Sequence, residues 1–144
     1  MITAIDSSVL WAIIRREPSA PCWLETLIAK AGEGSLIISP IAFAELSPSA
    51  SSASQLVEFL TRLAIRYDPI SPASAYLAGT TFKQYRKAGG PREHLVPDFL
   101  IAAHAQCQAD RLASTDRGYL RKWFPNLVVL TISDIPFQTK VSRH

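Results

Sequence analysis

The stretch Met1-Ile2-Thr3-Ala4-Ile5-Asp6-Ser7-Ser8-Val9-Leu10 joins a short β-branched run to an acid and then to a helix start. Ile2 to Ile5 reads as a strand that stops at Asp6. Ser7 or Ser8 can cap the next segment, in which Val9, Leu10, Ile13 and Ile14 recur at helical spacing. The same order returns near the other end, where the strand-like run Arg111 to Thr115 meets Asp116. Between them, Ser35 to Ser39 (SLIIS) reads as a buried strand and Pro40 to Leu46 as a short helix opened by proline. Arg66 to Ile70 is a weaker strand signal, and Leu127 to Ile132 a final one.

Helical stripes fill the gaps. Ser19 and Pro21 open one with Trp23, Leu24, Leu27 and Ile28, and Gln55 to Ile65 carries Leu56, Phe59, Leu60 and Leu63. Ser71-Pro72 begins a third that runs towards Lys87 and closes at Gly89-Gly90-Pro91. Val96-Pro97-Asp98 starts the most apolar helix, Phe99 to Gln108. Strands alternating with helices predict an α/β fold with a parallel sheet covered on both faces. Residues 1–134 read as one domain and 135–144 as a C-terminal tail. The serine-rich run 47–54 reads as a loop and, with the tail, as the mobile part of the chain.

Composition agrees. The 144 residues suit one domain, and 48% hydrophobic against 19% charged residues excludes a disordered chain. Fifteen Lys plus Arg against twelve Asp plus Glu give +3, a mild surplus that permits an anionic partner without demanding one. Cys22 and Cys107 cannot build a disulfide framework and read as reduced core residues of a cytoplasmic protein. His104 and Cys107 share a helix face, but no second ligand pair completes a zinc site. The N-terminus lacks the marks of a signal peptide, and no apolar run approaches the roughly 20 residues that span a bilayer.

Four acids fit the apolar background poorly. Asp6 and Asp116 follow strands, Asp98 heads an apolar helix, and Glu45 is embedded in Ile41-Ala42-Phe43-Ala44. Each has an ordinary structural use: Asp6 or Asp98 as a helix cap, Glu45 on a solvated face, Asp116 in a turn with Gly118. Together they occupy positions that a parallel sheet can bring to one edge, where ligands of such sheets bind. Converging carboxylates need a compensating charge, and hard cations such as Mg²⁺ or Mn²⁺ supply it. Such a site suits attack of activated water on a phosphodiester.

Four motifs carry a family resemblance: Ile5-Asp6-Ser7-Ser8-Val9-Leu10, Ala44-Glu45-Leu46, Pro97-Asp98-Phe99-Leu100-Ile101-Ala102-Ala103-His104-Ala105 and Thr115-Asp116-Arg117-Gly118-Tyr119. In this order the chain resembles a PIN-domain protein, and within that family the VapC-type ribonuclease toxins of bacterial toxin–antitoxin pairs. The resemblance implies a three-layer α/β/α sandwich with a mostly parallel central sheet. It also implies a pocket in which Asp6, Glu45, Asp98 and Asp116 hold Mg²⁺ or Mn²⁺ and act in catalysis, with Ser8 and Ser114 orienting carboxylate or water. Thr115 departs from the many relatives that carry a basic residue there.

The substrate implied is RNA of the tRNA or rRNA class. Arg86, Lys87, Arg92, Arg117 and Arg121 are by position the residues to hold its backbone. An antitoxin partner and a homodimer are implied by the same resemblance, with no membrane. Trp11, Trp23, Leu56 and Phe59 could wall a partner groove, although such stripes more often serve the core. His94 and His104 read as structural residues rather than general bases. Two rival readings stand beside this one. A non-catalytic PIN-like module would bind RNA or a partner without cutting. A receiver-type phosphoacceptor domain would need an acceptor Asp at the end of a central strand, yet SLIIS ends at Ser39-Pro40.

Overall fold

The order of strand and helix signals is followed closely in a computed structural model, which describes residues 1–91, 96–116 and 119–132. The chain runs β1 (Thr3–Ile5), α1 (Ser7–Ile14), α2 (Ala20–Glu33), β2 (Leu36–Ile38), α3 (Pro40–Leu46) and a 3₁₀ turn (Ser47–Ser49). It continues with α4 (Ala53–Arg62), β3 (Ile65–Tyr67), α5 (Pro72–Lys87), α6 (Pro97–Gln108), β4 (Arg111–Ala113), α7 (Tyr119–Trp123) and β5 (Val129–Leu130). The strands form one sheet in the order β3-β2-β1-β4-β5, and every pair is parallel. Crossovers that step first one way from β1 and then the other, with the hand usual for parallel strands, leave helices on both faces. The result is the α/β/α sandwich expected.

A sheet covered on both sides has strands buried on both sides. β1 and β2 accordingly read as continuous buried runs, while the edge strand β3 buries only Ile65. Val9 and Leu10 of α1, Trp23 and Leu27 of α2, and Phe99 of α6 complete the core. A second aromatic group ties α5, α6 and α7 together. Tyr85 meets Phe99 at 5.5 Å and Trp123 at 5.3 Å between ring centroids, and Phe99 meets Phe124 at 5.5 Å, all edge to face. Gly90 is needed there, because a Cβ on it would lie 2.3 Å from the Tyr85 ring.

Several expectations are revised. Neither cysteine is a core residue: Cys22 is half-buried, and Cys107 is exposed in the last turn of α6, past the buried Ala105. Ile28 leaves the stripe of α2 and is 72% exposed. The third strand starts at Ile65 rather than Arg66, because α4 stops at Arg62 and Ala64 turns the chain with a φ of 61°. The last strand shrinks to Val129–Leu130, since the Leu127 N–H is spent on the Phe124 carbonyl. Helix α7 is too short to show a periodicity and has no signal in the sequence. The described serine-rich run is organised by its hydroxyls: Ser49 Oγ donates to the Leu46 carbonyl, and Ser52 Oγ accepts the Gln55 N–H to cap α4. The segment 135–144 lies outside the described residues.

His104 is a structural residue, as expected. It is buried, and its Nε2 lies 2.9 Å from Asp68 Oδ2, which also accepts from Gln108 Nε2 at 2.9 Å. Among the described residues no helix is long and apolar enough to cross a membrane. The middle strand is β1, which ends at Asp6, so Ser39 at the end of β2 does not by itself dispose of a phosphoacceptor reading.

At the opposite end of the sheet, Glu33 accepts from Arg111 Nη2 at 2.9 Å and Lys30 Nζ at 3.1 Å. These bonds, that of Arg111 foremost, hold its carboxyl below the usual glutamate range. A lowered folded-state pKa means that the contact stabilises above the unfolded glutamate pKa and fades as pH falls through the lowered value. NMR titration should show the Glu33 midpoint rising on Arg111→Gln; an unmoved midpoint would show that the contact does not set the titration. Leu10, fully buried against the sheet, should cost about 2–5 kcal/mol on Leu10→Ala in chemical denaturation.

Candidate active site

The chain steps from β1 to β2 and β3 on one side, then crosses to β4 on the other. The crevice where strand order reverses therefore lies at the carboxyl ends of β1 and β4, the usual ligand position of a parallel sheet. Asp6 and Ser114 stand there, each directly after its strand. Asp6 occupies the N-cap position of α1 with extended backbone, yet its side chain makes no capping bond. Its Oδ2 instead accepts from Ser8 Oγ at 2.7 Å and from Ser114 Oγ at 2.8 Å.

Both hydroxyls have their roles settled by their other bonds. Ser8 Oγ accepts the Thr115 N–H at 3.1 Å, and Ser114 Oγ accepts the Asp116 N–H at 3.0 Å. A hydroxyl has one proton, so each gives it to the carboxylate. The Asp6 N–H donates to the Ala113 carbonyl at 2.9 Å and closes the stitch between the two strand ends. Asp6 is 9% exposed and Ser114 fully buried.

Glu45 on α3 is half-buried, and its Oε1 accepts from Ser7 Oγ at 2.7 Å. Asp116 Oδ2 accepts the Leu120 N–H at 2.9 Å, so part of this carboxylate serves to start α7. Asp98 stands exposed in the first turn of α6, next to Phe99 in the aromatic group. Serine hydroxyls thus tie Asp6 to the loop that carries Asp116 and hold Glu45 against the first residue of α1, while Asp98 is delivered from a separate helix.

Among the described residues no three His, Cys, Asp or Glu side chains are grouped closely enough to hold a metal ion by themselves. A dry cage of four acids is not what the side chains form. The donor chemistry nevertheless fits a hard cation. Among the described residues neither Asp6 nor Glu45 has a Lys, Arg or His in ion-pair contact. Each carboxylate has one oxygen bound to serine and a second that takes no such bond. Mg²⁺ keeps several waters and takes one or two carboxylates directly, so a carboxylate oxygen left open beside its serine is a suitable donor.

Of the basic residues expected to hold a phosphate backbone, Arg86 and Lys87 are exposed at the end of α5 and Arg121 on α7. Arg86 donates to the Gly90 carbonyl at 2.9 Å and Arg121 to the Val129 carbonyl at 3.1 Å. The aromatic group sets these two helix ends beside the turn that carries Asp98. Arg92, Arg117 and His94 lie outside the described residues.

The sequence reading missed part of the site. A cleft of about 610 Å³ opens beside the carboxylates, lined by Ser7, Ser8, Trp11, Arg15, Glu17, Glu45 and Thr115. Ser7 reads only as a possible cap, and Arg15 is not among the sequence candidates. The spacing of Ser7, Trp11 and Arg15, each four residues from the next along α1, was the signal available. Trp11 is half-buried and on the cleft, whereas Trp23 belongs wholly to the core. Leu56 and Phe59 line a different, apolar hollow with Ile14 and Ala50.

Comparison with known proteins places this geometry. The family model of the PIN domain matches residues 3–123. Among solved structures, VapBC2 from Rickettsia felis, bound to a DNA fragment from its promoter, contains a chain similar to this one. The TM-score is 0.70 at 20% identity, covering 91% of this chain and 98% of that one. VapBC-1 from nontypeable Haemophilus influenzae gives 0.66 at 18% identity, over 92% of this chain and 99% of that one. DNA-bound VapBC from Salmonella typhimurium gives 0.62 at 15%, over 91% and 98%. No curated protein matches the sequence. A parallel sheet in this strand order, acids at its switch point and a family match over most of its length agree, and the chain belongs to the PIN-domain family.

Proposed function

We propose that this protein is a divalent-metal-dependent endoribonuclease and the toxin of a toxin–antitoxin pair. The observation that carries the reading is the treatment of Asp6 and Glu45, which are held by serine hydroxyls and by no base among the described residues. A structural carboxylate in the same molecule, Asp68, is matched by His104, Gln108 and Arg66. Carboxylates kept in place but left anionic suit a cation that arrives with the substrate or before it.

Asp6, Glu45, Asp98 and Asp116 are the residues to hold Mg²⁺ or Mn²⁺, in part through water. A divalent cation so held lowers the pKa of water and offsets the charge that develops on a phosphodiester under attack. Ser8 and Ser114 fix Asp6, and Ser7 fixes Glu45, so that the free oxygens keep their direction. Arg86, Lys87 and Arg121 are suited to the RNA backbone, as are Arg92 and Arg117 by sequence position. The substrate class proposed is tRNA or rRNA, the partner an antitoxin, and the working form a homodimer in the cytoplasm. The VapBC assemblies similar in fold support the partner.

Purified protein should cut RNA with Mg²⁺ or Mn²⁺ and stop in EDTA. Asp6→Asn and Asp98→Asn should each abolish cutting while thermal melting shows a folded protein. Undiminished cutting in EDTA would sink the proposal. Ser114→Ala should cost less, roughly 10–100-fold in activity or metal affinity, as is usual for a residue that orients a metal-holding group. A Ser114→Ala protein with native rates would show that Asp6 needs no such support.

A further inference from the structure

We propose that Trp11 and Arg15 form a stacking platform for an unpaired nucleotide of the RNA, on the wall of the acidic cleft. The inference rests on the nuclease reading and adds to it the side chains that grip the substrate's base.

The two residues are one helical turn apart, so their side chains share a face of α1 and its end. The Arg15 guanidinium carbon lies 4.5 Å from the centroid of the Trp11 ring. Trp11 is half-buried against the core, which holds the ring still, and Arg15 covers it from the exposed side. Both line the cleft that also contains Ser7, Ser8 and Glu45. The platform is therefore continuous with the groups that hold the two carboxylates.

Arg15 has acids for neighbours and does not pair with them. Glu17 and Glu45 line the same cleft, yet among the described residues Arg15 makes no ion pair and its guanidinium no hydrogen bond. Its guanidinium sits over the indole ring, with its N–H donors still available. That combination suits a nucleotide. A base stacks on a guanidinium plane or an aromatic ring whatever its identity, and a phosphate takes the donors at the edge. Duplex RNA cannot use the platform in this way, because its bases are already stacked. The cleft volume of about 610 Å³ is that of a small-molecule site and is large enough for one splayed nucleotide.

The test compares wild type with Trp11→Ala, Trp11→Phe, Arg15→Gln and Arg15→Lys, each checked by thermal melting. Two readouts are taken: binding of a short single-stranded RNA and its duplex without divalent metal, and KM and kcat separately with Mg²⁺. Trp11→Ala and Arg15→Gln should weaken single-strand binding and raise KM by roughly 5- to 100-fold, the range that one base stack supplies. Here kcat should stay within about twofold, since the carboxylates that act on the bond are untouched. Trp11→Phe should keep most of the affinity, and Arg15→Lys should fall between, because it retains charge but not the plane. Duplex binding should not respond to Trp11→Ala. If folded Trp11→Ala and Arg15→Gln keep the wild-type KM while the wild type cuts RNA, the platform is overturned and the nuclease reading stands. Equal loss of single-strand and duplex binding also overturns it, as a general phosphate contact. A wild type that neither cuts nor binds RNA overturns the nuclease reading, and the platform with it. Should Trp11→Ala fail to fold, Arg15→Gln set against Arg15→Lys carries the same comparison.

Discussion

The structure depends on a single carboxylate oxygen. Asp6 Oδ2 receives hydroxyl protons from Ser8 on its own helix and Ser114 beyond the neighbouring strand. Each hydroxyl then accepts a backbone N–H from the loop after β4. An acid that is 9% exposed costs free energy unless its charge is solvated by dipoles or paired. Here dipoles do it, and in doing so they lock the ends of β1 and β4 together at the point where the strand order reverses. The loop that carries Asp116, and through its Oδ2 the start of α7, is positioned by the same bonds.

The molecule handles its acids in two ways. Asp68, near the end of edge strand β3, meets a buried His104, an amide from Gln108 and a guanidinium from Arg66. That network joins the β3–α5 loop to α6, and its charge and hydrogen-bonding capacity are taken up within the protein. At the crevice the partners are serines, which bond without neutralising. Low dielectric makes an uncompensated charge expensive, and such expense is tolerated mainly where an outside partner offsets it. The contrast separates an acid that builds the fold from acids that face a ligand, although both kinds follow strands or sit among apolar neighbours in the chain.

Much of this was legible in sequence. Ile2–Ile5 before Asp6 announced a strand whose end carries an acid, and Pro40–Leu46 agreed residue for residue with α3. The signals were strong because a doubly covered sheet demands unbroken apolar runs and because proline fixes a helix start. The strand expected over Arg111–Thr115, by contrast, stops at Ala113 and puts Ser114 at its end, with Asp116 in the loop beyond. What failed was short or contextual. α7 has five residues, too few to display a period, and it begins where a distant carboxylate accepts its N–H. Cys107 and Ile28 looked like core members, but their positions on α6 and α2 turn away from the sheet. Arg15 and Ser7 are marked in one dimension only by their four-residue spacing about Trp11, which places them on one helix face without saying what that face meets.

Sequence alone determined the class of the fold, the strand ends at which acids emerge, and the kinds of donor that a site could use. These come from local rules: the period of apolar residues, the geometry of proline and the charge of a side chain. Tertiary structure decided which of those donors keep a free oxygen and which are spent. It put β1 in the middle of the sheet, gave Asp6 and Glu45 serines instead of bases, and set Arg15 over the Trp11 ring on the same cleft. The reason is that pairing is a property of distance across the chain. Ser114 is 108 residues from Asp6, and only the parallel register of β1 on β4 brings them within a hydrogen bond.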